Sequence, residues 1–320
     1  VIVTTDPHDL TIRISVVICT RNRADLLRTA IASVVEQDFP RSDYELVVVD
    51  NGSTDHTRTV VSGFETAGNV VYLREDTVGL CVARNAGWRA CRGPHVAYFD
   101  DDAVAHSGWL SAIGDTIERC GATLGVAGGR VDPIWQGTRP EWLSDRIAGS
   151  LTIVDWGSCE QEITDLARSW LVGANMVIPK ALLERVGGFD PRLDRYGENL
   201  LSSGDVFLQK KIAELGYRIV YVPEIAISHL VPPARLDQRW FRSRFYWQGI
   251  SDAVMYRIER TPDRRRRVRT ALARAARLLR SPGRLRALVF PTTDPDRFTQ
   301  KCFALIDVGF IRGLLVDKRR

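Results

Sequence analysis

Apolar and polar positions follow two alternating rhythms along the first third of the chain. The run Ile14–Cys19 (ISVVIC) is almost continuously apolar and β-branched, the pattern of a strand covered on both faces in a parallel sheet. Leu26, Leu27, Ala30, Ile31, Val34 and Val35 then recur at helical spacing, which predicts a helix over Ala24–Gln37, with Pro40 beyond its end. The two rhythms repeat: strand over Glu45–Val49, helix over Thr54–Thr66, strand over Val70–Leu73, helix over Val82–Cys91, strand over His95–Phe99, helix over Ser107–Cys120. Alternating strands and helices with short connections predict an α/β fold built on an open, doubly wound, mostly parallel sheet. From Gly128 to Trp170 the rhythm fades through a Gly-, Pro- and Trp-containing stretch, read as a long functional loop region. Order returns with Leu171–Ile178, a helix near Lys180–Val186, a helix over Asp205–Leu215 and a strand over Arg218–Val222. From Gln238 helix dominates, broken at Pro262, Pro282 and Pro291.

Composition narrows the class. With 320 residues, 45% hydrophobic and 26% charged, the chain can bury a large core, which excludes disordered, collagenous and small disulfide-stapled classes. The six cysteines form no CxxC pair, so free thiols in a reducing compartment are expected. The longest apolar stretch near the C-terminus, Cys302–Val316, is interrupted by Asp307 and Arg312, too short a run for a spanning helix. Val1–Leu10 has neither a basic segment nor a continuous apolar one, and the expectation is a cytoplasmic protein. Charge is unevenly spread. Residues 257–320 carry 18 Lys/Arg against 6 Asp/Glu, a local balance of +12, so the overall +5 leaves residues 1–256 at −7.

In doubly wound sheets ligands sit beyond the carboxyl ends of the strands, so the residues just past each strand are the informative ones. They are Thr20, Arg21 and Asn22 after the first strand, Asp50, Asn51, Gly52 and Ser53 after the second, and Asp100, Asp101 and Asp102 after His95–Phe99. Three successive carboxylates cannot all ionise cheaply without a cation. Oxygen donors of this kind suit Mg²⁺ or Mn²⁺, which binds through one or two carboxylates together with substrate phosphates, and so imply a phosphorylated ligand. The competing readings are a solvated acidic turn at FDDDA and a plain helix-capping turn at VVVDNGSTD.

VVVDNGSTD (Val47–Asp55) together with FDDDA (Phe99–Ala103) resembles the nucleotide-sugar-binding half of glycosyltransferase family 2, which has the Rossmann-like GT-A fold. VVICTRNRADLL (Val16–Leu27), GLCVARNAGW (Gly79–Trp88) and WLVGANMVIPKALLERVGGFD (Trp170–Asp190) also look like family elements. The resemblance covers about residues 11–235, with a donor half to about 128 and an acceptor half from about 129; residues 236–320 are left as a basic, mainly helical C-terminal extension. It implies that Thr20, Arg21, Asp50 and Arg84 hold the nucleoside and its base, with Asn51 and Asp100 beside them. It also implies that Asp101 contacts the ribose, that Asp102 coordinates Mn²⁺ or Mg²⁺, and that His229, placed just after a strand in ISHLVPP, is a second metal ligand. The family's general base is typically the aspartate of a Glu-Asp pair at a helix start. Here the segment reads SSGD (Ser202–Asp205), with Gly204 where glutamate is usual; Asp205 is the candidate base and Glu198 a second one. The resemblance further implies an inverting reaction, a uracil-containing donor, and an acceptor hydroxyl on a glycan, a lipid or a small natural product.

A nucleotidyltransferase would use similar rim aspartates, but the Gly-rich, Lys-containing phosphate loop expected of one is missing. A degenerate sugar-nucleotide-binding or membrane-surface module is the non-enzyme alternative, motivated by Gly204 and the basic tail. A dehydrogenase is disfavoured because no GxGxxG follows the first strand. Trp135, Trp142, Trp156 and Trp170 are open between sugar stacking and local hydrophobic clustering, whereas Trp240, Phe241, Phe245, Tyr246 and Trp247 read as core. Arg264–Arg280 has Val268, Leu272, Ala275 and Leu279 on one face among arginines. This suits peripheral contact with an anionic membrane, its inner face in a cytoplasmic protein, through 264–286, or equally docking on the catalytic domain or on a second subunit; no nucleic-acid partner is expected.

Overall fold

A computed structural model describes residues 12–195 and 199–316; the N-terminal stretch Val1–Leu10 and the candidate Glu198 lie outside the described residues. The chain begins with strand β1 (Ile14–Thr20), helix α1 (Ala24–Val35), β2 (Tyr44–Asp50), α2 (Thr57–Ser62), β3 (Val70–Arg74), α3 (Leu80–Ala90) and β4 (His95–Asp100). All seven residues of β2 are buried, and β1 nearly matches it, which is why these runs carry no alternation: helices cover both faces. Helix α1 turns Leu27, Ala30, Ile31 and Val34 into the core, at about 1.5–3 kcal/mol for each large aliphatic side chain fully removed from water.

Then come β5 (Ala103–Ala105), α4 (Trp109–Cys120), β6 (Leu124–Gly128), β7 (Val131–Trp135), α5 (Asp145–Ala148), β8 (Gln161–Glu162), β9 (Asn175–Pro179), α6 (Lys180–Val186), α7 (Gly204–Glu214), β10 (Arg218–Tyr221) and β11 (Ile227–Val231). The main sheet has the order β3-β2-β1-β4-β9-β6-β10-β8. β1, β2, β3 and β4 are mutually parallel, as are β6 and β10, while β9 runs antiparallel between β4 and β6. A second sheet has the order β5-β11-β7, with His229 opposite Ala103.

Four details depart from the sequence pattern. Helix α2 starts at Thr57 instead of Thr54 because Asp55 accepts the Thr57 amide at 3.1 Å and its hydroxyl at 2.5 Å, while Asp50 draws the Ser53 amide into the rim turn at 2.7 Å. His229 does not follow a strand; it is the middle residue of β11, whose alternating burial turns Ile227, His229 and Val231 to the same inner side. β5 and β6, too short or too glycine-rich to announce themselves, were not expected. The stretch Gly128–Trp170 contains short elements, β7, α5 and β8, where a loop region was expected.

Close contacts divide the chain into two units: one made of the residues up to Asp132 with Val154–Phe189 and Leu208–His229, the other of Pro133–Ile153, Asp190–Phe207 and Leu230 onward. The core of the first lies on both sides of the main sheet. The second is organised by α8 (Gln238–Arg260), α9 (Arg264–Leu279), α10 (Pro282–Val289) and α11 (Pro295–Leu315). There Trp142 packs edge-on against Phe241 and Phe298, with ring centroids 5.1 and 4.8 Å away, so this tryptophan belongs to a local cluster together with Phe245 and Cys302. In the first unit Trp156 meets Trp170 edge-on at 5.4 Å and donates its indole N–H to the Trp170 carbonyl.

Candidate active site

The acidic rim forms where β4 ends. Its register with β1 sets Asp100 opposite Cys19, next to Thr20, and the chain then turns so that Asp101 and Asp102 are both buried. Thr20 donates its hydroxyl to Asp101 at 2.8 Å. Arg23, at the start of α1, spans the two carboxylates: its guanidinium donates to Asp101 at 2.5 Å and to Asp102 at 2.7 Å. The cation that three neighbouring carboxylates demand is therefore supplied in part by the protein, and Arg23 is the site residue that the sequence reading missed. Its place three residues beyond β1 puts it near the rim, but only the register of β1 with β4 decides which carboxylates it meets.

His229 approaches Asp102 from β11, with Nε2 and Oδ1 3.1 Å apart and both side chains buried. Burial alone would push Asp102 up, yet the partnership with His229 and the Arg23 guanidinium hold it well below the usual carboxylate range. Asp101 goes the other way: burial, with help from the neighbouring Asp102 charge, outweighs Arg23 and pushes it up to about 7. One ligand atom each from Asp100, Asp102 and His229 lie within 4.8 Å of one another. Two carboxylates and an imidazole form a donor set suited to Mn²⁺ or Mg²⁺, and the buried Nδ1 of His229 has no hydrogen-bond partner. These residues fit a divalent ion, and Asp100, grouped above with the nucleotide contacts, stands among the potential ligands.

The other rim residues form a second group around the end of β2. Asp50 accepts the Ser53 amide at 2.7 Å, the Tyr72 hydroxyl at 2.7 Å and Arg74 at 3.3 Å. Although burial raises it, these bonds keep its carboxyl below the ordinary range. Asn51 spends its amide on structure, donating to the Glu75 and Thr77 carbonyls and accepting the Gly79 amide at 2.7 Å, which shapes the turn before α3. Arg84 is buried on α3, 3.3 Å from Asp100, with its guanidinium 5.2 Å from the centre of the Phe189 ring. Arg21 is exposed. Asp205 belongs to the second unit. It occupies the first turn of α7, preceded by Ser203 at φ 72°, and its Oδ1 accepts its neighbour's amide, Val206 N–H, at 2.9 Å.

The mostly parallel sheet with its flanking helices is the GT-A fold, and solved GT-A glycosyltransferases share it. The mannosyltransferase PcManGT from Pyrobaculum calidifontis, solved with GDP-Man and Mn²⁺, superposes with a TM-score of 0.54 at 21% identity, covering 92% of this chain and 70% of that one. Residues 1–349 of S. aureus TarS give 0.55 at 17% identity, covering 94% and 90%. The sequence carries the same message: the family profile "Glycosyl transferase family 2" matches residues 15–178, and the chain belongs to that family. Among characterised relatives, the glucosyl-dolichyl phosphate glucuronosyltransferase of Haloferax volcanii is 27% identical over 247 residues, 76% of this chain and 77% of that protein. The validoxylamine A glucosyltransferase of Streptomyces hygroscopicus is 29% identical over 237 residues, 64% of this chain and 51% of that one.

Proposed function

We propose that this glycosyltransferase is metal-dependent and inverting, and that it moves a sugar from a UDP-linked donor to an acceptor hydroxyl. The observation that carries the reading is the convergence of Asp100, Asp102 and His229 beside the Arg23-bridged Asp101, at the carboxyl ends of parallel strands. Mn²⁺ or Mg²⁺, when bound, supplies a Lewis acid that neutralises charge developing on the leaving diphosphate. Asp100, Asp102 and His229 would hold that ion. Thr20, Arg21, Asp50 and Arg84 serve the nucleoside, and Asn51 acts through the turn it holds. Asp101 meets the ribose. Asp205 removes the acceptor proton as the hydroxyl attacks the anomeric carbon, so that a single displacement inverts that centre.

The relatives' names support the class of chemistry: one is named for transfer of a glucuronosyl group and another of a glucosyl group, and two solved structures of similar fold contain GDP-Man and UDP-GlcNAc. Calorimetry with UDP, GDP and dTDP, each with and without Mn²⁺, tests the donor reading. Metal-dependent binding of UDP, lost in Asp102→Ala, is the expected result; no nucleotide binding under any condition would overturn it. Asp205→Asn should bind donor normally and lose turnover, and unchanged turnover at saturating substrate would remove Asp205 from the reaction.

A further inference from the structure

The helical part of the second unit leaves one surface that its own packing does not explain. Of the large hydrophobic residues that are exposed among the described residues, most fall between Val268 and Val316. Leu272 and Leu279 on α9 are 65% and 66% exposed, and Val289 and Phe290 at the end of α10 are 73% and 60% exposed. At about 100° per residue, Val268, Leu272 and Leu279 share one narrow ridge of α9. Ala271 and Leu278 lie roughly a quarter turn round the helix from that ridge and are buried, so the helix is seated through one stripe and presents the adjoining one to solvent.

The ridge is flanked by cations. Residues 264–293 contain ten arginines and no acidic residue. Arg274 and Arg284 turn inward to Asp307 on α11, whereas Arg264, Arg265, Arg266, Arg269, Arg277, Arg280 and Arg286 are exposed. A second copy of the chain docking symmetrically would bring two such arginine sets face to face. A nucleic acid would satisfy the arginines and leave Leu272, Leu279, Val289 and Phe290 in water. A surface that is anionic outside and apolar beneath satisfies both at once, with guanidinium groups at the phosphates and the ridge in the acyl boundary.

We infer that the α9–α10 face is a docking surface for an anionic lipid bilayer. It rests on exposure and charge within the second unit alone, so it stands independently of the donor chemistry above. The test is sedimentation of the full chain with vesicles of phosphatidylcholine alone and of phosphatidylcholine mixed with phosphatidylglycerol, at low and high salt. Binding is expected to the mixed vesicles only and to weaken with salt. Leu272→Glu combined with Phe290→Glu should lower the bound-to-free ratio about ten-fold or more, and Arg265→Glu combined with Arg269→Glu should do the same. All four positions are exposed, so circular dichroism and nucleotide binding should match wild type and exclude misfolding as the cause. Absence of binding to mixed vesicles, or undiminished binding by both double variants, would overturn the inference. So would a dimer in solution that the same variants dissociate, which would make a second copy the occupant.

Discussion

Replacing Asn175 by leucine isolates the contribution of one polar group to the framework under the acidic rim. Asn175 opens β9 and is completely buried. Its Oδ1 accepts the indole N–H of Trp109 at 2.9 Å, and its Nδ2 donates to the carbonyls of Ile225 at 2.7 Å and Arg130 at 3.3 Å. Leucine keeps the branched outline and the number of side-chain heavy atoms, though it is bulkier, and carries no polar atom. The Arg130 carbonyl keeps a donor, the Ile227 amide at 3.0 Å, but the Trp109 N–H and the Ile225 carbonyl each lose the bond described here. At about 1–3 kcal/mol for each buried group left unsatisfied, the expected loss is about 2–6 kcal/mol, a large part of the roughly 5–15 kcal/mol that holds a typical domain. Urea unfolding monitored by far-ultraviolet circular dichroism measures it. Trp109→Phe removes the donor from the other side, so the double variant should cost at least about 1 kcal/mol less than the two single losses together. A loss below about 1 kcal/mol for Asn175→Leu, or strict additivity in the double variant, would refute the account. Because Ile225 leads directly into β11, the same substitution should also weaken Mn²⁺ binding by loosening His229.

Three further outcomes follow from the geometry. A Cβ at Gly173 would stand 2.6 Å from both terminal nitrogens of Arg84, so Gly173→Ala should push that side chain aside. Calorimetry should then show UDP binding weakened about ten-fold, with little change in thermal midpoint. Buried Glu45 accepts Ser15 Oγ at 2.7 Å and both the amide and the Nε of Arg92, which hold its carboxyl below the usual range despite burial. A depressed folded-state pKa contributes stability above the ordinary glutamate range and loses it as pH falls through the folded value. The urea-midpoint gap between wild type and Glu45→Gln should therefore be full at neutral pH and close in acid. Asp307, buried between Arg274 and Arg284, should cost about 2–4 kcal/mol as Asp307→Asn, less than a fully buried pair because both arginines keep contact with water; chemical denaturation reads it.

The sheet-forming half was legible because its signals are local and redundant. Continuous apolar runs such as Val47–Val49 and helical spacing such as Leu27–Ile31–Val34 each arise from burial on both faces or on one stripe, and the structure buries those positions. The carboxylates of Asp100, Asp101 and Asp102 were legible for the same reason, since charge at a strand end has few explanations. What lay hidden is non-local. Nothing in ISHLV says that its histidine will pair with a strand more than a hundred residues earlier, because β11 borrows its order from β5. Arg23 is one arginine among many until the register of β1 with β4 brings its guanidinium to Asp101 and Asp102. Trp142 could have been a sugar platform by composition, and the distant Phe241 and Phe298 make it core.

The reversed strand β9 has a consequence of its own. A chain that enters the sheet antiparallel to β4 arrives at the edge where β4 leaves, as the pairing of Phe99 with Asn175 requires. The residues leading into β9 are thereby delivered to the acidic rim without belonging to any strand, and Gly173 already rests on Arg84. Closing a loop costs only about 0.6 kcal/mol more for each doubling of its length. Ile163 and Leu171 are fixed to Ile219 and Gln209, so insertions belong at the exposed turn of Ala167 and Arg168, where they leave every strand register as it is; one reversed strand thus separates segments that must keep their spacing from a short turn that need not.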